Sequence, residues 1–186
     1  MTTAELVSKY NITVATRFDG HNLVATGFLR VGRGDLARAN GDMDAIRAAK
    51  PQIIADWQAK HDAERAASDA RQAKIDAIPG LAEIRAAIAD RAAWRREFRA
   101  SFEGEEAVGG LGVRPQPTTD VDALLEKYPV AAAYLEAQSF ADADNYIKSA
   151  SGKRAMDAIL AGSDPAAAVQ TMRSEWAAYC TDHIWD

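Results

Sequence analysis

The chain contains a single cysteine, Cys180, among 186 residues, which excludes an intramolecular disulfide framework. A lone thiol fits a reducing compartment, where disulfides do not persist. No apolar run approaches the roughly 18 residues that cross a bilayer, and Met1 to Tyr10 lacks the basic and apolar regions of a secretory leader. A cytoplasmic protein without membrane contact is the expectation. Histidine is also scarce, with His21, His61 and His183 the full set. Cys180 and His183 have ligand spacing, but zinc takes four ligands, or three and a water, so no metal and no cofactor is expected. As a nucleophile the same thiol would need a base and oxyanion donors, and nothing local supplies them. No catalytic residue is assigned, and the chain is read as non-enzymatic.

Large apolar side chains are missing from one long stretch. Between Lys60 and Lys74 no apolar residue is larger than alanine. A buried CH₂ contributes about 0.8 kcal/mol, and alanine has no carbon beyond Cβ, so this segment cannot anchor a conventional core. Ala59, Ala63, Ala66, Ala70, Ala73 and Ala77 nevertheless follow a 4-3-4-3-4 spacing. That is the pattern of a helical seam, which lets another helix approach closely, either within the chain or in a homodimer.

The surrounding patterns predict an α+β, predominantly helical fold with an N-terminal β-hairpin, a long antiparallel helical hairpin and a C-terminal helical region. Residues 1–51 hold the β-hairpin and short helices. Glu5 to Tyr10 reads as a helical turn, Ile12 to Phe18 and Leu23 to Val31 alternate as strands, and Asp19 to Asn22 is a turn cluster. Asp42 is expected to cap a short helix from Met43 to Ala49 that Pro51 interrupts or restarts. Residues 52–102 form the helical hairpin. Ile53, Ile54 and Trp57 begin its first helix and Ile75 and Ile78 end it. Past Pro79-Gly80, the residues Leu81, Ile84, Ile88, Trp94, Phe98 and Phe102 give a second amphipathic helix.

Residues 103–118 are rich in glycine and proline and read as a linker. Gly109-Gly-Leu-Gly112 within it is followed by Val-Arg-Pro-Gln-Pro117 rather than by a helix, so it is a connection and not a phosphate loop. In the C-terminal region, residues 119–186, Thr119 or Asp120 caps one helix, Pro129 starts another, a third ends at Gly162, and Asp164-Pro165 begins the last.

Charge is unevenly distributed. Residues 1–102 carry 16 basic against 13 acidic side chains, whereas residues 103–186 carry 6 against 14. Glu103, Glu105 and Glu106 are the candidates for meeting a basic partner. Arg91, Arg95 and Arg99 recur at i, i+4 and i+8, with Arg85 and Arg96 close by, and they are the candidates for an acidic partner or for phosphates. Glu83, Asp90 and Glu97 are interleaved with them. No helix-turn-helix, zinc finger or RNA-recognition signature accompanies the arginines.

Four segments carry a resemblance to a family: Glu5-Leu-Val-Ser-Lys-Tyr-Asn-Ile-Thr-Val14, Ile75-Asp-Ala-Ile-Pro-Gly-Leu-Ala-Glu-Ile84, Gly112-Val-Arg-Pro-Gln-Pro117 and Lys127-Tyr-Pro-Val-Ala-Ala-Ala-Tyr-Leu-Glu-Ala-Gln138. Together they resemble a family of small proteins from phages and mobile elements of gut bacteria that includes a type II-A anti-CRISPR protein. None is a catalytic signature, and the alanine and arginine richness departs from the more Lys- and Ile-rich versions in that family. The resemblance implies a protein that binds Cas9, or Cas9 with its guide RNA, in the bacterial cytoplasm and hinders DNA binding or cleavage. The arginine face also suits a nucleic-acid-binding module, and the alanine seam suits a homo-oligomeric structural phage protein.

Overall fold

Two hydrophobic clusters organise the described residues of the computed structural model, which are 1–19, 22–101 and 115–183. The chain divides accordingly into two units, residues 1–70 and 71–186. Among the described residues it is predominantly helical with one two-stranded antiparallel sheet, the α+β class its patterns predict. No described helix is long and apolar enough to cross a membrane.

The first unit opens with α1, Thr3–Tyr10, started by a capping box. The Thr2 hydroxyl accepts from the Glu5 amide at 3.3 Å while the Glu5 carboxylate accepts from the Thr2 amide at 2.6 Å, so two unpaired donors at the helix start are satisfied. Strands β1, Thr13–Asp19, and β2, Asn22–Arg30, pair antiparallel. Their register breaks between Val14 and Thr16, where β2 is bulged and Gly27 takes a φ of +79°. Thr26 Oγ1 donates to the Ala15 carbonyl at 2.9 Å across the break. An isolated hairpin is marginal in water. Here Val14 and Leu29 pack against a cluster of Leu6, Tyr10, Ile12, Ala39, Ile46 and Ile53, drawn largely from helices.

Helix α2, Leu36–Ala39, and a 3₁₀ turn, Asn40–Asp42, lead into α3, Met43–Asp76. Two expectations are corrected here. Asp42 lies in the 3₁₀ turn, and its carboxylate accepts from the Tyr10 hydroxyl and from Lys9 Nζ, the latter at 3.0 Å. Pro51 neither interrupts nor restarts a helix, because α3 runs through it unbroken. An interior proline costs about 3 kcal/mol or more through the lost hydrogen bond and ring clash. Ile46 and Ile53, seven residues apart and therefore on one face, are both buried in the same cluster. Each contributes about 1.5–3 kcal/mol on burial, enough together to hold one helix on either side of the proline.

Beyond Trp57 the helix leaves that cluster. Ala59, Ala63, Ala66, Ala70, Ala73 and Ala77 are all exposed, so no described residue covers the alanine seam.

In the second unit α3 ends in a turn at Ile78-Pro79-Gly80, and α4, Leu81–Ala100, follows. Ile75, Ile78, Leu81 and Ile84 enter one core with Leu124, Tyr134, Ile159, Val169 and Met172. That core is built by α5, Val121–Lys127, α6, Pro129–Ala141, α7, Tyr146–Leu160, and α8, Pro165–His183. Each start is set by local chemistry. Asp120 Oδ1 accepts from the amides of Asp122 and Ala123 at 3.0 and 3.3 Å, Pro129 occupies the first turn of α6, and Asn145 Oδ1 accepts from Ile147 and Lys148 at 3.0 and 3.1 Å. Asp164 makes the corresponding bonds to Ala166 and Ala167 at 3.2 and 3.3 Å, the start expected at Asp164-Pro165. Gly152 marks a close approach of α6 and α7, since a Cβ there would stand 2.7 Å from the Ala137 carbonyl oxygen. Phe102 and most of the linker lie outside the described residues.

Candidate functional site

Helix α4 changes character along its length. Leu81 and Ile84 are buried in the core, Ile88 is 44% exposed, and the following turns carry arginine. A spacing of three to four residues returns a side chain to the same face of a helix. Arg91, Arg95 and Arg99 therefore form one row, and Arg96 stands one residue round from Arg95. The structure brings all four together along a groove of about 380 Å³ that runs from Ile88 to Val121 at the start of α5. Arg91 is half-buried and the other three are exposed.

These arginines differ from the other described arginines of the second unit. Arg71 pairs with Asp157, Arg154 with Glu175 at 2.6 Å, Arg173 with Glu136 at 2.6 Å, and Arg85 donates to Gln138 Oε1 at 2.7 Å. Arg85, close in sequence to the cluster, is thus turned away to α6. Among the described residues no carboxylate pairs with Arg91, Arg95, Arg96 or Arg99. Asp90 and Glu97, on the same helix, do not line the groove. Four guanidiniums lining one depression, with no carboxylate in its wall among the described residues, offer planar, bidentate hydrogen bonding to carboxylates or phosphates.

A second groove of about 810 Å³ meets the first at Ile88. Leu125, Pro129, Val130, Ala133, Leu135 and Val169 make its walls, from α5, α6 and α8. Its rim carries the bidentate pair in which Arg173 Nε and Nη2 donate to Glu136 at 2.6 and 2.7 Å, which raises the Arg173 pKa. Leu125, Val130 and Leu135 fall on the apolar stripes of α5 and α6 beside Leu124 and Tyr134, and their spacing alone does not separate the groove from the core. Burial of Tyr134 and partial exposure of Val130 depend on which neighbouring helix stands where.

The remaining candidates stand apart. Glu103, Glu105 and Glu106 lie outside the described residues. Cys180 is half-exposed, and the His183 ring has Nδ1 2.9 Å from the Tyr179 carbonyl oxygen and stacks on the Tyr179 ring at 4.1 Å. Among the described residues no three His, Cys, Asp or Glu side chains are grouped to hold a metal.

Comparison with protein-family models, with curated proteins and with solved structures gives no match for this chain.

Proposed function

We propose that this protein is a non-enzymatic inhibitor of a CRISPR effector, acting by docking α4 on Cas9 or on Cas9 loaded with guide RNA. The observation that carries the binding role is the arginine groove. Arg91, Arg95, Arg96 and Arg99 face one depression with no carboxylate to neutralise them among the described residues. Guanidiniums at i, i+4 spacing repel one another, and an anionic partner relieves that repulsion on binding. The choice of Cas9 rests on the resemblance of the four segments from Glu5 to Gln138.

Titrating the purified protein into a guide-loaded Cas9 cleavage reaction tests this reading, with several Cas9 orthologues and with addition before or after target DNA. Dose-dependent loss of cleavage near stoichiometric protein is expected, together with its loss when Arg91, Arg95 and Arg99 are changed to glutamate. Full cleavage by every orthologue, with no complex on size exclusion, would remove the inhibitor reading for those enzymes.

A further inference from the structure

We infer that the arginine groove and the apolar groove beside it are one docking surface for an acidic amphipathic helix of a protein partner. The inference rests on the proposed reading of α4 as a binding face and names the kind of element that face takes. Its basis is the continuity of two chemically different grooves. The four-arginine depression and the wider trough walled by Leu125, Val130, Ala133 and Val169 share Ile88, itself 44% exposed. A small molecule would be served by one of them. An element filling both must present an apolar stripe to α5, α6 and α8 and carboxylates to α4. Side chains recurring every three to four residues on a helix provide such a division between two faces.

Charge decides between a protein helix and a nucleic acid. Residues 71–186 carry 13 basic and 18 acidic side chains, so the basic groove is a local feature on an acidic unit. A long phosphate backbone leaving the groove would run along that acidic unit, whereas a short acidic helix ends where the arginines end. The trough offers a phosphate only Gln170 and an Arg173 already paired with Glu136, with Asp164 beside them, but it buries the Leu or Ile side chains of a helix, each worth about 1.5–3 kcal/mol when fully covered. The other two arginine–carboxylate pairs of this unit that bear on the trough's helices, Arg173 with Glu136 and Arg154 with Glu175, are already closed. Acidic side chains of a partner are therefore drawn to α4, which fixes the direction of docking.

The test is fluorescence anisotropy with the full chain and four labelled probes: a helical peptide with a leucine stripe and glutamates elsewhere, its lysine counterpart, a scrambled glutamate–leucine peptide without the stripe, and a single-stranded RNA. The striped acidic peptide is expected to bind best and to weaken with salt. Arg91→Glu with Arg95→Glu, and separately Val130→Asn, should each weaken it by about tenfold, with circular dichroism showing the helices retained. Arg96→Glu provides a second test of the basic groove should either variant fail to fold. Equal binding of the lysine or scrambled peptide, indifference to the variants, or tighter binding of the RNA would overturn the inference. Cas9 inhibition without peptide binding would remove the acidic helix and leave the proposed function standing. Peptide binding without Cas9 inhibition would do the reverse.

Discussion

Gly80 lies beneath the ring of Tyr128: a Cβ placed on it would stand 2.6 Å from Cδ1 and closer still to Cγ and Cδ2. Gly80 also holds a φ of +75°, the left-handed region that L side chains rarely adopt. The ring thus locks the turn that delivers α4 to the core. Gly80→Ala combines backbone strain of about 1–3 kcal/mol with overpacking of about 1–3 kcal/mol. In urea melts its transition midpoint should fall accordingly. Adding Tyr128→Ala removes the clash and leaves the strain, so the double-mutant cycle should show favourable coupling. Strict additivity would mean that the ring moves aside without cost.

The arginine groove predicts a trade between stability and binding. Arg91, Arg95 and Arg99 make two like-charge pairs at i, i+4 spacing, each destabilising by about 0.2–0.5 kcal/mol. Arg95→Gln keeps helix propensity nearly unchanged and should raise stability by about 0.4–1 kcal/mol at low salt, with less gain as salt screens the charges. The same variant should bind the striped acidic peptide more weakly. A loss of stability would show that Arg95 is already neutralised in the folded chain.

Asp42 links α1 to the turn before α3 and gives the first unit a pH dependence. The Tyr10 hydroxyl, and after it Lys9, hold its carboxyl below the ordinary 3.8. Lys9 is raised above 10.5 by Tyr10 and then by Asp42. A lowered carboxyl contributes stability that is present above 3.8 and lost as pH falls through the folded value. A raised ammonium contributes below 10.5 and its contribution is lost as pH rises through the folded value. Asp42→Asn should therefore lower the thermal midpoint at neutral pH and flatten its decline between about pH 5 and pH 2. An acid limb identical to that of the unsubstituted protein would show that other carboxyls govern it.

The alanine seam should accept bulk. Ala66 and Ala70 are exposed, and surface substitutions away from special features change stability by roughly 0.5 kcal/mol or less. Ala66→Leu with Ala70→Leu should leave the thermal midpoint and the 20.1 kDa mass in light scattering unchanged. A concentration-dependent fall of the midpoint, with a mass near twice 20.1 kDa before substitution, would show that a second copy covers the seam.

Local chemistry made much of the fold legible. The strands around Asp19 to Asn22, the stop at Pro79-Gly80, the Asp120 and Asp164 caps and Pro129 at a helix start each depend on a few neighbouring residues. The row of Arg91, Arg95 and Arg99 was legible for the same reason, because one helix fixes its own periodicity.

What the sequence by itself determined was where most elements begin and end, the passage of α3 through Pro51 excepted, and which side chains share a face. Only the tertiary structure decided what each face meets. Ile46 and Ile53 carry α3 through Pro51 because both are buried in one cluster, Asp42 serves Tyr10 and Lys9 instead of a helix start, and the alanine seam is left exposed. Arg85 is drawn to Gln138 while Arg91, Arg95, Arg96 and Arg99 are gathered on a groove that meets an apolar trough at Ile88. Those outcomes depend on burial and pairing between residues far apart in the chain, energies that no local window contains.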